Sequence, residues 1–227
     1  MGSNALIWTA NNTTTANRGI VATLPFALSL TTVGDYVTMN FRFRLAATQI
    51  TAGNFTTTPN DSVQGFTFGF YDSTGSVVTA NDQSTSDNDR GFRGAIASGA
   101  TAAVSIRKET NTTPGELGTG TDTPLGLEAG STPVAISDFN VHTGSITILL
   151  SNPGQVPVSI SVDGNQIATS VTDTTTILTY DEIAFSQGGG NSFRLDDIEI
   201  LSNIPEPSSA MLVASLTLLG CVGYRRR

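Results

Sequence analysis

The sequence predicts an all-β protein: an antiparallel β-sandwich of the jelly-roll type, followed by one C-terminal hydrophobic helix. Two observations carry this prediction. Apolar and polar residues alternate with period two along several short segments, and no stretch of helical periodicity occurs before Ser208. Glycine, proline, asparagine and threonine interrupt the chain at short intervals. That spacing is typical of about ten to thirteen short strands joined by turns.

The alternation identifies individual strands and the side chains that face the core. It is clearest from Val37 to Leu45, where every second residue is apolar and the residues between are polar. Because successive side chains of a strand point to opposite faces, such a segment is half-buried. The segments with this pattern are 37–45, 66–70, 146–150 and 158–162.

Turn residues place the connections between these strands. Asp163-Gly164 predicts a tight hairpin turn directly after the segment that ends at Val162. In the last strand, the double acidic step Asp196-Asp197 predicts a β-bulge that shifts the alternation. Runs rich in threonine, glycine and polar residues predict two surface loops, at 79–91 and 110–132.

Length and composition limit the classes of function. The 227 residues suffice for one domain with an appendage, and a core of that size needs no disulfide bond. The single cysteine, Cys221, excludes an intramolecular disulfide, and the single histidine, His142, excludes a multi-histidine metal site. The net charge of −8 argues against nucleic acid as a partner.

The sequence shows no recognisable catalytic constellation. His142 has the setting of a solvated turn residue, and no Gly-x-Ser-x-Gly elbow accompanies it. Glycoside hydrolysis needs two carboxylates flanking one bond, and the closest acidic groups are Asp181-Glu182 and the run 196–199. The pair Asp197 and Glu199 is interpreted as an outward charge pair on an edge strand. We therefore expect a protein that is not an enzyme.

Two kinds of ligand site remain open alternatives. Calcium binds carboxylate and carbonyl oxygens, and one polar loop offers candidate ligands, although a solvated loop is the favoured interpretation. These candidates are Asp82, Asp87 and Asp89, with Asn88 between the last two. Carbohydrate binding would use exposed aromatic side chains as stacking surfaces, and no cofactor is required for it. The available aromatics outside the phenylalanines are Trp8, Tyr36, Tyr71 and Tyr180.

The C-terminal segment differs in composition from everything before it. It contains Pro205-Glu206-Pro207, then an uncharged stretch over 208–224, then the basic tail Arg225, Arg226 and Arg227. The 17 uncharged residues would span about 25 Å as a helix, the short limit for crossing a membrane. Arginines directly after such a helix resist translocation and stop the chain in the cytoplasm. The sequence therefore divides into a domain over 1–203 and a segment over 204–227.

This segment closely resembles a PEP-CTERM sorting signal, because motif, apolar helix and arginine cluster occur in that order. The resemblance implies recognition by exosortase, a membrane-embedded enzyme thought to cleave near the motif, in bacteria that often export polysaccharide. The precursor would then be anchored in the inner membrane with the domain outside the cytoplasm. After processing the protein would lie at the cell surface or outside the cell.

The beginning of the chain and its middle add two expectations. Ala5 to Trp8 is too short for the apolar region of a signal peptide and is expected to form a first β-strand. The segments 145–149, 158–164 and 193–198 resemble paired strands of the concanavalin A-like jelly roll, which includes laminin-G-like domains. This resemblance supports the fold more than any particular activity.

Three functions follow from these observations. The leading hypothesis is a non-enzymatic, exosortase-processed protein of the cell surface or extracellular matrix. The alternative is a carbohydrate-binding module of the envelope or exopolysaccharide, with or without calcium. A degenerate hydrolase on the same fold is the third hypothesis.

Overall fold

The computed structural model describes residues 6–8, 18–46, 66–75, 89–96, 102–110, 122–136, 138, 140–187 and 192–204. These residues form fourteen β-strands and no helix. The strands are β1 (Leu6–Trp8), β2 (Arg18–Ser29), β3 (Tyr36–Ala46), β4 (Phe66–Asp72), β5 (Arg90–Ile96), β6 (Val104–Thr110), β7 (Thr123–Pro124), β8 (His142–Leu149), β9 (Gln155–Val156), β10 (Val158–Val162), β11 (Asn165–Thr169), β12 (Asp173–Thr174), β13 (Thr179–Gln187) and β14 (Ser192–Ser202).

The strands form two six-stranded antiparallel sheets and one small pair. The first sheet has the order β1-β14-β3-β8-β10-β11, and the second has the order β2-β13-β4-β5-β6-β7. Strands β12 and β9 pair separately. Each sheet combines strands that follow one another in the chain, such as β4 to β7, with strands distant in sequence, such as β14 beside β3 and β13 beside β2, as in a jelly roll. The predicted fold class, an all-β antiparallel sandwich of jelly-roll type, is therefore confirmed, and so is the predicted first strand at Leu6–Trp8.

The core lies where the inner faces of the two sheets meet, and phenylalanines fill its centre. Phe41 of the first sheet makes edge-to-face contacts with Phe68 and Phe185 of the second, with ring centroids 4.8 and 5.1 Å apart. Gly144 lies opposite Phe41 on the neighbouring strand, and a Cβ atom there would overlap the Phe41 ring. The predicted inward positions of 37–45 are confirmed, because Val37, Met39, Phe41, Phe43 and Leu45 are all buried.

The predicted hairpin and the predicted bulge both occur. Asp163 and Gly164 have φ angles of +49° and +76°, the left-handed pair that a two-residue type I′ turn requires, and β10 and β11 pair across them. On β14 the register with β3 shifts between Asp196 and Glu199, and Asp197 has a φ angle of +51°. One extra residue therefore enters β14 at the acidic step.

The predicted loop over 110–132 is wrong at both of its ends. Thr110 is the last residue of β6, and Thr123–Pro124 form β7 against that same strand. The backbone of Glu128 then donates to Thr169 and that of Thr132 to Ile167, so this part follows β11. Leu125 and Leu127 pack against the core, and their apolar surface explains why the segment docks. The loop predicted at 79–91 overlaps β5, which begins at Arg90, and its residues 79–88 lie outside the described residues.

Candidate functional site

The second sheet carries charged side chains on the face that points away from the core. Glu182, Tyr71 and Glu109 lie in one row across β13, β4 and β6, with Gly91 between the last two. In the next row Arg93 of β5 pairs directly with Arg107 of β6. Asp122, one residue before β7, contacts both arginines. We call Tyr71, Arg93, Arg107, Glu109, Asp122 and Glu182 the charged cluster.

Most of the charged cluster is buried, although it lies on an outer face. The relative exposure is 3% for Tyr71, 6% for Arg93, 4% for Glu109 and 0% for Glu182. Charged side chains are almost never this buried unless they are paired. The cluster is therefore a closed polar layer behind the sheet, and the Arg107 side chain, 32% exposed, is its most accessible cation.

Ion contacts hold the two arginines of the cluster in place. The Asp122 carboxylate lies against the Arg93 guanidinium and 2.9 Å from Nε of Arg107. Burial lowers the pKa of Arg93, and the neighbouring Tyr71 and Glu109 oppose this shift. One carboxylate thus compensates the repulsion of two cations on adjacent strands.

Two glycines next to the charged cluster leave space for its side chains. At Gly69, a Cβ atom would collide with the carbonyl oxygen of Phe92 and crowd Arg93. At Gly91, it would collide with the carbonyl oxygen of Phe70 and crowd the Tyr71 ring. Glycine at these positions therefore lets the Arg93 and Tyr71 side chains lie flat on the sheet.

The distance between the two glutamates of the charged cluster is relevant to glycoside hydrolysis. Glu182 and Glu109 are three strand spacings apart, about 14 Å between Cα atoms. Glycosidase carboxyl groups are about 5–9.5 Å apart, so the backbone positions of these two glutamates are too widely separated for that pair. With two arginines, two glutamates and one aspartate, the cluster carries a formal charge of 2 − 3 = −1.

The aromatic side chains expected as stacking surfaces are buried or half-buried where the structure describes them. Tyr180 is completely buried, its hydroxyl donates to the carbonyl oxygen of Ile177, and burial raises its pKa. Tyr71 is buried in the charged cluster and Tyr36 is half-buried. The side chain of Trp8 lies outside the described residues.

The prediction of a solvated turn histidine is wrong. His142 begins β8, and its ring packs 5.6 Å from the Phe43 ring. Its Nδ1 lies 2.7 Å from Oδ2 of Asp163, and its Nε2 lies 2.8 Å from Oδ1 of Asp138. Burial alone would lower the pKa of His142, but the hydrogen bonds to Asp163 and Asp138 raise it above the ordinary value. The sequence did not reveal this contact because the three residues meet only when the hairpin and β8 pair.

The acidic residues considered for catalysis lie apart from one another. Asp181 accepts two hydrogen bonds from Ser73, whereas Glu182 points to the opposite face of β13. Asp197 and Glu199 are exposed, as predicted, and Asp197 forms an ion pair with Arg42 at 2.9 Å. The prediction of an edge strand is wrong, because β14 lies between β1 and β3.

The calcium candidates fall mostly outside the described residues. Asp82 and Asp87 are not described, and Asp89 lies one residue before β5. Within the described ranges, no group of three or more histidine, cysteine, aspartate or glutamate side chains is placed to hold a metal ion.

The sorting motif and the hydrophobic segment also lie outside the described residues. These are Pro205 to Pro207, the stretch 208–224, and Arg225 to Arg227. In the part of the chain that is described, no helix is long and apolar enough to cross a membrane. The structure does describe the end of the domain, where β14 stops at Ser202 and Asn203 and Ile204 follow.

Comparison with solved structures agrees with the fold. An alginate lyase aligns with a TM-score of 0.51 at 14% identity, over 91% of this chain and 84% of that one. A Bacillus subtilis protein of unknown function with a galectin-like fold aligns with a TM-score of 0.50 at 13% identity, over 87% and 82%. A metal-free carbohydrate recognition domain aligns less well, with a TM-score of 0.48 at 10% identity, over 88% and 82%. At these identities the first two likenesses show the fold alone, a galectin-like jelly roll.

The C-terminal segment is assigned by sequence. Residues 203–227 match the family model described as the PEP-CTERM protein-sorting motif. The chain therefore combines a galectin-like jelly roll with a PEP-CTERM sorting motif, as the resemblance of its tail implied. No curated protein sequence matches the chain.

Proposed function

We propose that this chain is an exported protein of the cell surface or extracellular matrix, processed by exosortase and without catalytic activity of its own. The observation that carries the proposal is the sorting motif matched over 203–227. In this proposal the apolar stretch 208–224 holds the precursor in the inner membrane, and Arg225 to Arg227 stay in the cytoplasm. Pro205 to Pro207 then present an extended site for cleavage.

Replacement of the motif tests this proposal. Alanine at Pro205, Glu206 and Pro207 should leave uncleaved precursor in the membrane fraction of an exosortase-bearing host. The readout is the intact mass of the protein in membrane and medium. Unchanged processing of this variant would overturn the assignment of the motif.

Arg107, the exposed cation of the charged cluster, supports a second candidate function, binding of a polysaccharide at the outer face of the second sheet. Its Nε lies 2.9 Å from the Asp122 carboxylate, and its guanidinium offers several donors to sugar hydroxyls. Calcium remains a candidate cofactor through Asp82, Asp87 and Asp89.

A glycan array with and without chelator separates the two functions. Binding that weakens about tenfold in Arg107→Ala, the loss of one or two charged hydrogen bonds, would support the second function. Lys108→Ala is a matched control, because Lys108 is the next residue of β6 and pairs with Asp173 instead. Release of reducing ends from any polysaccharide would contradict the absence of catalysis.

A further inference from the structure

The end of the folded domain is fastened to the turn between β2 and β3. Directly after β14, the Asn203 side chain makes two hydrogen bonds to this turn. Its Oδ1 accepts from the backbone N–H of Tyr36 at 2.9 Å, and its Nδ2 donates to the carbonyl oxygen of Gly34 at 3.1 Å. Ile204 follows and packs, partly buried, against the core. Ordered contacts therefore continue to the residue immediately before Pro205.

The turn that receives Asn203 is itself firmly held. Oδ2 of Asp35 accepts hydrogen bonds from the backbone N–H groups of Thr31 and Thr32 at 2.8 and 2.7 Å. The N–H of Gly34 donates to the carbonyl oxygen of Leu150, and the N–H of Leu150 donates to that of Asp35, both at 2.8 Å. Asn203 is thus bound to a rigid part of the sandwich.

The short distance between this contact and the motif limits what an enzyme can reach. Pro205 to Pro207 span at most about 10 Å when fully extended. An enzyme that cleaves a peptide bond near them must hold the flanking residues in an extended form, away from the folded domain. Residues on the amino-terminal side of the motif are Ile204 and Asn203, and both are engaged by the domain.

We infer that Asn203 is a positioning residue that restricts access of the processing enzyme to the motif, so that its two hydrogen bonds must open before cleavage. The inference rests on the proposed function and names a residue before Pro205 to Pro207 that sets the rate of processing. It also predicts that extra length between domain and motif makes Asn203 irrelevant.

The test measures the rate of precursor processing in an exosortase-bearing host for the full chain. Asn203→Ala should be processed roughly tenfold faster, because two hydrogen bonds of ordinary net strength no longer oppose opening. Asn203→Asp keeps the acceptor for Tyr36 but loses the donor to Gly34, so its rate should be intermediate. With four Gly/Ser residues inserted between Ile204 and Pro205, the wild-type and alanine rates should become equal.

Two controls separate this role from a general loss of stability. Ser170→Ala removes a buried hydrogen bond from Val158 N–H, far from the motif in sequence. Asn165→Ala removes an exposed asparagine from the β10–β11 turn. Neither variant should change the rate. If Ser170→Ala accelerates processing as much as Asn203→Ala, opening of the whole domain is responsible and the inference is overturned.

The outcomes also distinguish this inference from the function on which it rests. An unchanged rate for Asn203→Ala, with processing still abolished by alanines at Pro205 to Pro207, overturns only the role of Asn203. Processing that survives the triple replacement overturns both.

Discussion

The Nδ1 atom of His142 lies 2.7 Å from Oδ2 of Asp163, and this contact joins the start of β8 to the β10–β11 turn. The second carboxylate, from Asp138, faces the other ring nitrogen. Asp163 also accepts a hydrogen bond from the backbone N–H of Thr143 at 2.9 Å. The imidazole with both nitrogens protonated is the form that can donate to both acids, so the arrangement favours the charged ring.

The contribution of this contact to stability should depend on pH. The pKa of His142 is raised above 6.5, so its contribution is complete below about pH 6.5 and declines as pH rises through the folded-state pKa. Hydrogen bonding to His142 lowers the pKa of Asp138. The pKa of Asp163 is also lowered, because its hydrogen bonds outweigh its burial. The carboxylates therefore contribute above about pH 4, and that contribution is lost as pH falls through their folded-state values.

Urea unfolding of wild type and His142→Asn at pH 5.5 and pH 9 measures this dependence. We expect the variant to be less stable by about 1 kcal/mol at pH 5.5, a modest value because both carboxylates are half exposed. At pH 9 the difference should shrink. An equal difference at both values would mean that the ring charge contributes nothing.

Gly144 should be intolerant of any side chain. Its Cβ position overlaps the ring of Phe41, which is enclosed by the central phenylalanines. Gly144→Ala should cost about 1–3 kcal/mol, the usual range for overpacking. Ser145→Ala, one residue further and on the other face of β8, is the matched control and should have little effect. Phe41→Leu should partly rescue the alanine variant, and failure to do so would place the strain elsewhere.

Asp122 should contribute more to stability than other ion-pairing acids. Its removal takes from the buried Arg93 one of two neighbouring carboxylates, the other being Glu109, and breaking a buried pair costs up to about 3–5 kcal/mol. Asp173→Asn breaks the Lys108 pair, whose side chains are more exposed, and should cost less than Asp122→Asn. Thermal unfolding of both variants decides the point, and equal losses would contradict a special role for the charged cluster.

The bulge residue Asp197 should respond oppositely to two small replacements. Its φ angle of +51° is unfavourable for most residues, whereas its exposed ion pair with Arg42 is worth little. Asp197→Gly should be neutral or stabilising by about 0.5 kcal/mol, and Asp197→Ala should destabilise by about 1 kcal/mol. Chemical denaturation of both variants gives the sign of each change in the free energy of unfolding. Similar losses of stability in both variants would indicate that the ion pair dominates.

Prediction from the sequence was most accurate where the informative pattern lies within a single strand or turn. Alternation along β3 identified its buried side chains, and Asp163-Gly164 marked a turn whose geometry only a few residues adopt. The charged cluster was not predicted, because Arg93, Glu109 and Glu182 come from three separate strands. Each looks like an ordinary surface residue until the register of the sheet is known. The signal that could have found it is Gly91, directly before Phe92, in a strand that also contains two arginines.

The position of β14 has a consequence for the order of events during export. This strand lies between β1 and β3, so the first sheet is incomplete until residue 202 is available. In a chain that emerges amino terminus first, the edges of β1 and β3 that pair with β14 stay unpaired until β14 has emerged. Pairing between such distant segments is slow to form. Under the proposed function, completion of the domain should therefore coincide with arrival of the tail at the membrane, and an unfinished sheet would mark molecules not yet ready for release.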